Sequence, residues 1–371
     1  MSASDTPECL GVYLLTHPRS ASNLFQKMME NQPGYQHISY KLFDAGFAGL
    51  AQMQRGRLSE WPEEDSKALY DSFWVGFESL ENDVADAKLN VSILTTFPIQ
   101  KEKRKQQEAN EKAVGQGWRG RLLLCPDHSC SRTLTADTIA IQGKQAFIKE
   151  HAIFLSGPEK LFACVYGDEV GYKPKSTHTN PTSLPDRFLS AFQPIFQIRH
   201  PALMFPSMLR AQSRVMENSN TRNPRVYCSL TLRHSRALYD WYLENENKTG
   251  RKPRIIDADD IMNNPAAVRQ LCLDTKLDPD AIQYEWEEQK EENVLKASFL
   301  STLNTSKGIV KGLDSCDLNI ETEKSKWKAE FGDETGEEMA EFVYKAMPDY
   351  LYLLNQPTRA TGDCAVAEQT T

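Results

Sequence analysis

An apolar run at residues 10–15 stops at Thr16-His17-Pro18 and delivers Arg19, Ser20 and Ser22 to the mouth of a helix. The helix is signalled by Leu24, Phe25, Met28 and Met29 on one face. A buried strand that turns directly into a helix is the opening unit of a layered α/β fold. The pattern recurs. Residues 145–155 and 194–199 read as short apolar strands, and 253–261 as another, with long helices expected over 202–217 and 225–247. Pro265 is placed to open a further helix, and a last amphipathic helix is expected over about 335–354. Residues 63–87 carry Leu69, Phe73, Phe77 and Leu80 at helical spacing, while residues 35–47 hold a short strand. Short apolar strands alternating with long helices predict a central parallel sheet flanked by helices, with a helix-rich C-terminal part. The expected organisation is one α/β domain over residues 1–355, with an exposed insert at about 100–118, a polar loop at 168–186 and a disordered tail at 356–371.

Backbone N–H groups at a helix N-terminus, two hydroxyls and a fixed guanidinium suit a phosphate or sulfate. The same residues would also serve an ordinary helix start, with Ser20 as cap and Arg19 solvated. The loop is not that of nucleotide triphosphatases, since no Gly lies between Thr16 and Phe25 and no Gly-Lys-Ser/Thr follows. Three further segments share the theme. Arg199-His200-Pro201 ends a strand and leads to Ser207, a spacing that aims Arg and Ser at a strand's carboxyl edge. Alternation in the strand Phe147-Ile148-Lys149-Glu150-His151 puts Lys149 and His151 on one face and Glu150 on the other. Ser306-Lys307-Gly308 precedes Gly312 and Trp327-Lys328.

The form Thr-x-Pro-Arg-Ser-x-Ser resembles the 5′-phosphosulfate loop of sulfotransferases that use 3′-phosphoadenosine-5′-phosphosulfate (PAPS) as donor. Arg199 through Ser207 is similar to that family's 3′-phosphate motif, and Ser306-Lys307-Gly308 resembles a weakened form of its late Arg-Lys-Gly segment. The resemblance covers residues 10 to about 330, and its loops look most like fungal and bacterial relatives of unknown substrate. It implies a P-loop-like sulfotransferase fold and transfer of a sulfuryl group from PAPS to a hydroxyl of a small organic acceptor such as a secondary metabolite, leaving 3′-phosphoadenosine-5′-phosphate (PAP). It further implies donor contacts from Pro18, Arg19, Ser20, Ala21, Ser22, Asn23, Arg199, Ser207, Lys307 and Gly308. His151 would be the general base, with Lys149 and Arg19 stabilising charge at the transferred group. His37 competes with His151 as base, and His37 and Tyr40 fall in the acceptor region. The alternative is an enzyme on the same scaffold that has left PAPS behind and catalyses elimination, cyclisation or isomerisation.

Composition narrows the partners. The 371 residues are 40% hydrophobic and 25% charged, with a net charge of −8. Such a chain has no bulk attraction to nucleic acid or anionic membrane, so an anion must be gripped locally. No run of 18 apolar residues and no basic-then-apolar leader is present, which points to the cytoplasm. The eight cysteines are scattered and read as reduced thiols. Cys125-Pro-Asp-His128-Ser-Cys130 lacks the second knuckle of a zinc site, so no metal is expected. Oligomeric state is not legible.

Overall fold

The computed structural model describes residues 8–89, 91–92, 142–167, 178–214, 219–292 and 294–361. The expected insert at 100–118, most of the loop at 168–186 and the Cys125–Cys130 cluster lie outside the described residues.

Five parallel strands form one sheet: β1 (Gly11–Thr16), β2 (Tyr35–Ser39), β3 (Gln145–His151), β4 (Gln193–Ile198) and β5 (Arg254–Asp257), in the order β2-β3-β1-β4-β5. Helices cover both faces, as an all-parallel sheet requires. Side chains alternate between two apolar layers: Tyr13, Leu15, Ile148 and Phe196 enter one, and Val12, Leu14, Phe147 and Ile195 enter the other. At the start of β1 a Cβ on Gly11 would fall 1.9 Å from the Ala146 carbonyl oxygen, so only glycine permits β1 and β3 to close here.

The crossovers position the site. Helix α1 (Ser22–Met28), which follows β1, buries Phe25 and Met28 in the second layer. The segments after β3 send Phe154, Leu161 and Phe162 into the first. The chain therefore leaves adjacent strands β1 and β3 toward opposite faces and opens a crevice at their carboxyl ends, where sheets of this kind place ligands.

Several boundaries differ from expectation. The strand expected over 145–155 ends at His151, and Ala152–Leu155 is helical. The strand expected over 253–261 stops at Asp257, whose side chain accepts from the Asp259 N–H at 2.8 Å and caps the helix Ala258–Asn263. The helix expected over 225–247 is three pieces, Pro224–Ser229, Arg233–Glu244 and Glu246–Thr249. The tail expected from 356 is packed in its first residues. Arg359 bridges to Ile255 of β5 and pairs through Nη2 with Asp260 at 2.7 Å, and Ala360 is buried. Among the described residues no helix is long and apolar enough to cross a membrane.

Candidate active site

The loop after β1 is shaped by two non-glycine residues in left-handed conformation, Arg19 (φ 68°) and Ala21 (φ 63°). Such residues carry a strain of about 1–2 kcal/mol each, and strained backbone gathers at functional sites. The surrounding structure holds the loop in place. Gln197 on β4 donates through Nε2 to the Ser20 carbonyl at 2.6 Å, and Arg199 donates through Nη1 to the Arg19 carbonyl at 3.0 Å.

Arg19 turns toward the helix α2 (Pro201–Ser213) that follows β4. Its Nε donates to Ser207 Oγ at 2.9 Å and its Nη1 to the Phe299 carbonyl at 2.8 Å. Arg199, just past the end of β4, donates its Nη2 to the Leu313 carbonyl at 2.6 Å. Among the described residues neither guanidinium has an ion-pair partner within 4.0 Å, although Asp257, Asp259 and Asp314 influence Arg199 from further off. Burial, with Arg199 and Arg214 as like charges, holds Arg19 down to about 10. It stays fully protonated at neutral pH. Ser20 Oγ, Arg199 Nε and Gln197 Oε1 are buried in this region without a hydrogen-bond partner.

Across the crevice, β3 supplies three buried polar residues in succession. Lys149 points toward α1, where Asn23 Oδ1 and Gln26 Oε1 (3.0 Å) accept from its Nζ, and its ammonium lies 4.7 Å from the centre of the Tyr40 ring. Burial lowers Lys149 to about 7, against the opposing pull of Glu150. Glu150 faces the other layer, where its Oε1 accepts the Leu42 N–H at 2.9 Å, and burial raises it to about 7. His151 Nδ1 lies 2.6 Å from Thr16 Oγ1, and that hydroxyl donates to the Glu150 carbonyl at 3.1 Å. A hydroxyl whose hydrogen is committed this way accepts from the imidazole, so Nδ1 carries the hydrogen and Nε2 presents a lone pair. Tyr40 OH stands 3.2 Å from that Nε2. Burial, followed by the charges of Lys149, His17 and Arg19, keeps His151 well below 6.5, so the ring is neutral at pH 7.

The sequence-expected residues thus divide. Arg19, Ser20, Ser22, Asn23, Lys149, His151, Tyr40, Arg199 and Ser207 gather along one rim, with Pro18 and Ala21 as loop backbone. His37 does not join them. It pairs in register with Phe147, stacks on that ring at 4.7 Å, and lies ~13 Å down the sheet from the level of His151 at 3.3 Å per residue. Lys307 and Gly308 line a surface groove of about 580 Å³ with Tyr284 and Trp286, and the Lys307 carbonyl accepts the Trp286 N–H at 3.1 Å. Among the described residues no hydrogen bond joins them to Arg199, which is met by Leu313 instead. Trp327 is a core residue and Lys328 pairs with Glu337 at 2.5 Å. Gln26 and Gln197 went unflagged in the sequence, and Thr16 entered only as the first residue of the loop motif, because a polar residue inside a buried strand or an early helical turn carries no local mark of its partner. Among the described residues no group of three or more His, Cys, Asp or Glu could hold a metal ion.

Fold and rim together define an α/β protein with an array of buried cations at the carboxyl edge of a parallel sheet. The chain is similar to "Sulfotransferase ppzF" of Metarhizium rileyi, with 34% identity over 243 aligned positions covering 59% of this chain and 71% of that protein. It is also similar to "Sulfotransferase ppzF" of Metarhizium majus, with 28% identity over 384 aligned positions covering 94% of this chain and 96% of that protein. The chain belongs to the sulfotransferase family, and that membership assigns it a sulfotransferase activity. No protein-family model and no solved structure matches it.

Proposed function

We propose that this sulfotransferase takes PAPS as donor and a hydroxyl of a small organic molecule as acceptor, with His151 as general base. One observation carries the reading: Arg19 and Arg199 are partly buried cations with no carboxylate within 4.0 Å among the described residues, beside Lys149 and a neutral imidazole. A desolvated cation without a counter-ion is costly, and an anionic ligand relieves the cost. The unpartnered Ser20 Oγ and Arg199 Nε are donors of the kind a diester with two phosphate ends requires.

In this reading Arg19, Ser20, Ser22 and Asn23 hold the 5′ end of the donor, and Arg199 with Ser207 holds the 3′-phosphate. Bound PAPS supplies the sulfuryl group and a leaving phosphate. His151 Nε2, made an acceptor by the Thr16 contact, takes the proton of an incoming hydroxyl. Tyr40 OH occupies a position beside Nε2 from which a substrate hydroxyl would approach, so Tyr40 helps orient the acceptor. Lys149, fixed by Asn23 and Gln26, holds positive charge near the loop where the leaving oxygen gains negative charge. Sulfuryl transfer, like phosphoryl transfer, leaves the protein mainly positioning and charge stabilisation to perform. The aromatic residues Phe43, Phe47 and Phe154 beyond Tyr40 suit an apolar acceptor body.

Calorimetry with PAP tests the donor assignment. Micromolar binding that Arg199→Ala weakens about 10- to 100-fold supports it. A chain that binds no PAP is instead an enzyme of the same fold working on another substrate, a reading favoured by the separation of Lys307 and Gly308 from Arg199.

A further inference from the structure

A second group of reactive side chains lies outside the residues used above. Cys164, in the helix Pro158–Tyr166, is half-buried with its Sγ 3.7 Å from His234 Nε2. Ser156 Oγ lies 2.8 Å from Nδ1 of the same ring and itself donates to the Ala152 carbonyl at 3.3 Å. That hydroxyl therefore accepts from Nδ1–H, and the Nε2 lone pair faces the thiol. Thiol, base and orienting hydroxyl stand in the order that activates a nucleophile.

A second thiol completes the group. Cys228, in the helix Pro224–Ser229, is 1% exposed and donates to Met53 Sδ at 3.4 Å. Its Sγ lies 3.8 Å from the Leu161 carbonyl, while Cys164 Sγ lies 3.3 Å from the adjacent Lys160 carbonyl. The two sulfurs thus share one turn of helix. Contact with Cys228, followed by the His234 contact and the charges of His234 and Arg233, pulls the Cys164 thiol down despite its burial. The same contact and burial push Cys228 up. A partly exposed thiol in electropositive surroundings beside a buried one is the arrangement of an attacking and a resolving cysteine.

We propose that Cys164 and Cys228 form a redox-active thiol pair whose oxidant is a hydroperoxide, with Cys164 attacking, His234 taking its proton and Cys228 resolving. The Cys164 thiolate attacks one peroxide oxygen and the O–O bond breaks. The departing hydroxide takes the proton held by His234 and leaves as water, and Cys164 becomes a sulfenic acid. Cys228 sulfur, giving up its proton, then attacks Cys164 sulfur, and the S–O bond breaks with loss of a second water. Two thiols lose two electrons to form one disulfide, and one hydrogen peroxide becomes two waters. The disulfide ties the helix Pro158–Tyr166 to the helix Pro224–Ser229. The pair acts independently of the donor and acceptor assigned above.

The experiment uses the full chain. Iodoacetamide at pH 7 should alkylate Cys164 about tenfold faster than the exposed Cys316, because the thiolate is the form that reacts. Stoichiometric hydrogen peroxide, followed by peptide mapping, should yield a Cys164–Cys228 disulfide. Both readouts come from the unaltered chain, so the folding of a variant does not enter them. Cys228→Ser should leave Cys164 as a sulfenic acid that dimedone captures, and His234→Gln should slow Cys164 alkylation about tenfold. Equal labelling of Cys164 and Cys316, a peroxide-made disulfide between other cysteines, or no disulfide at all overturns the proposal. Unchanged Cys164 labelling in His234→Gln overturns the part given to His234.

Discussion

Arg19 Nε and Ser207 Oγ stand 2.9 Å apart, joining the loop after β1 to the helix after β4 although 188 positions separate them in the chain. The two cationic cradles expected from the sequence therefore meet on one edge of the sheet.

The first prediction tests whether one ligand spans that edge. Hydrogen bonds to charged groups contribute about 1.5–3 kcal/mol, so Arg199→Ala should weaken PAP binding about 10- to 100-fold. Ser207→Ala loses a neutral donor and should cost about fivefold. Calorimetry reads both. PAP affinity unaltered in Ser207→Ala would show that the cradles do not act on the same molecule.

The second concerns the base. His151→Ala should lower kcat by about 10²–10⁴ while leaving PAP affinity close to that of the parent. His37→Ala should leave kcat within a few-fold, because its ring stacks on Phe147 well below the rim. Sulfated product from a panel of hydroxylated acceptors is the measurement, and equal turnover in His151→Ala removes the base assignment.

The third follows from Lys149. With its pKa lowered to about 7 by burial, the ammonium is lost as pH rises through that value. His151, held well below 6.5, remains neutral across the same range. kcat/KM, which reports the free enzyme, should therefore fall on the alkaline side from about pH 7. Lys149→Arg keeps its charge, so its profile should be flat there even if its maximum is lower. A parent profile that rises steadily from pH 7 to 9 contradicts the role given to Lys149.

The fourth is a stability measurement. Glu150 is raised from 4.5 to about 7 by burial, so the folded state holds its proton more tightly than the unfolded one. Its contribution is full below about pH 4.5 and is lost as pH climbs through 7. Glu150→Gln never ionises, so it should match the parent near pH 4.5 and exceed it by roughly 1–3 kcal/mol at pH 8. Urea unfolding at the two pH values gives the comparison, and a destabilised variant at pH 8 refutes it.

The sheet was readable because β1, β4 and β5 carry compact apolar runs, with Thr16 and Asp257 closing β1 and β5 and Arg199 just beyond β4, while β3 turns from apolar to polar at Lys149. Period-two alternation correctly separated Lys149 from Glu150, since it depends only on strand geometry. Breaks inside helices were harder to see. The expected 225–247 helix is interrupted near Thr231, whose Oγ1 accepts the Arg233 N–H at 3.2 Å, a side-chain bond that competes with the helical ladder. Partners were hardest of all. Thr16 with His151 and Gln197 with Ser20 are joined only by the fold, and a single sequence carries no record of such pairings. Lys307 was placed by motif order, but a spacing rule fixes neither the path of a loop nor the neighbour it finds.

The backbone of residues 358–360 runs beside β5 and exchanges hydrogen bonds with Ile255 in both directions, at 3.2 and 2.9 Å. It thereby covers a margin of the sheet whose peptide groups would otherwise be open to any extended strand nearby. A chain trimmed at residue 355 should retain the rim chemistry yet self-associate through that uncovered margin, so light scattering rather than turnover would reveal the loss.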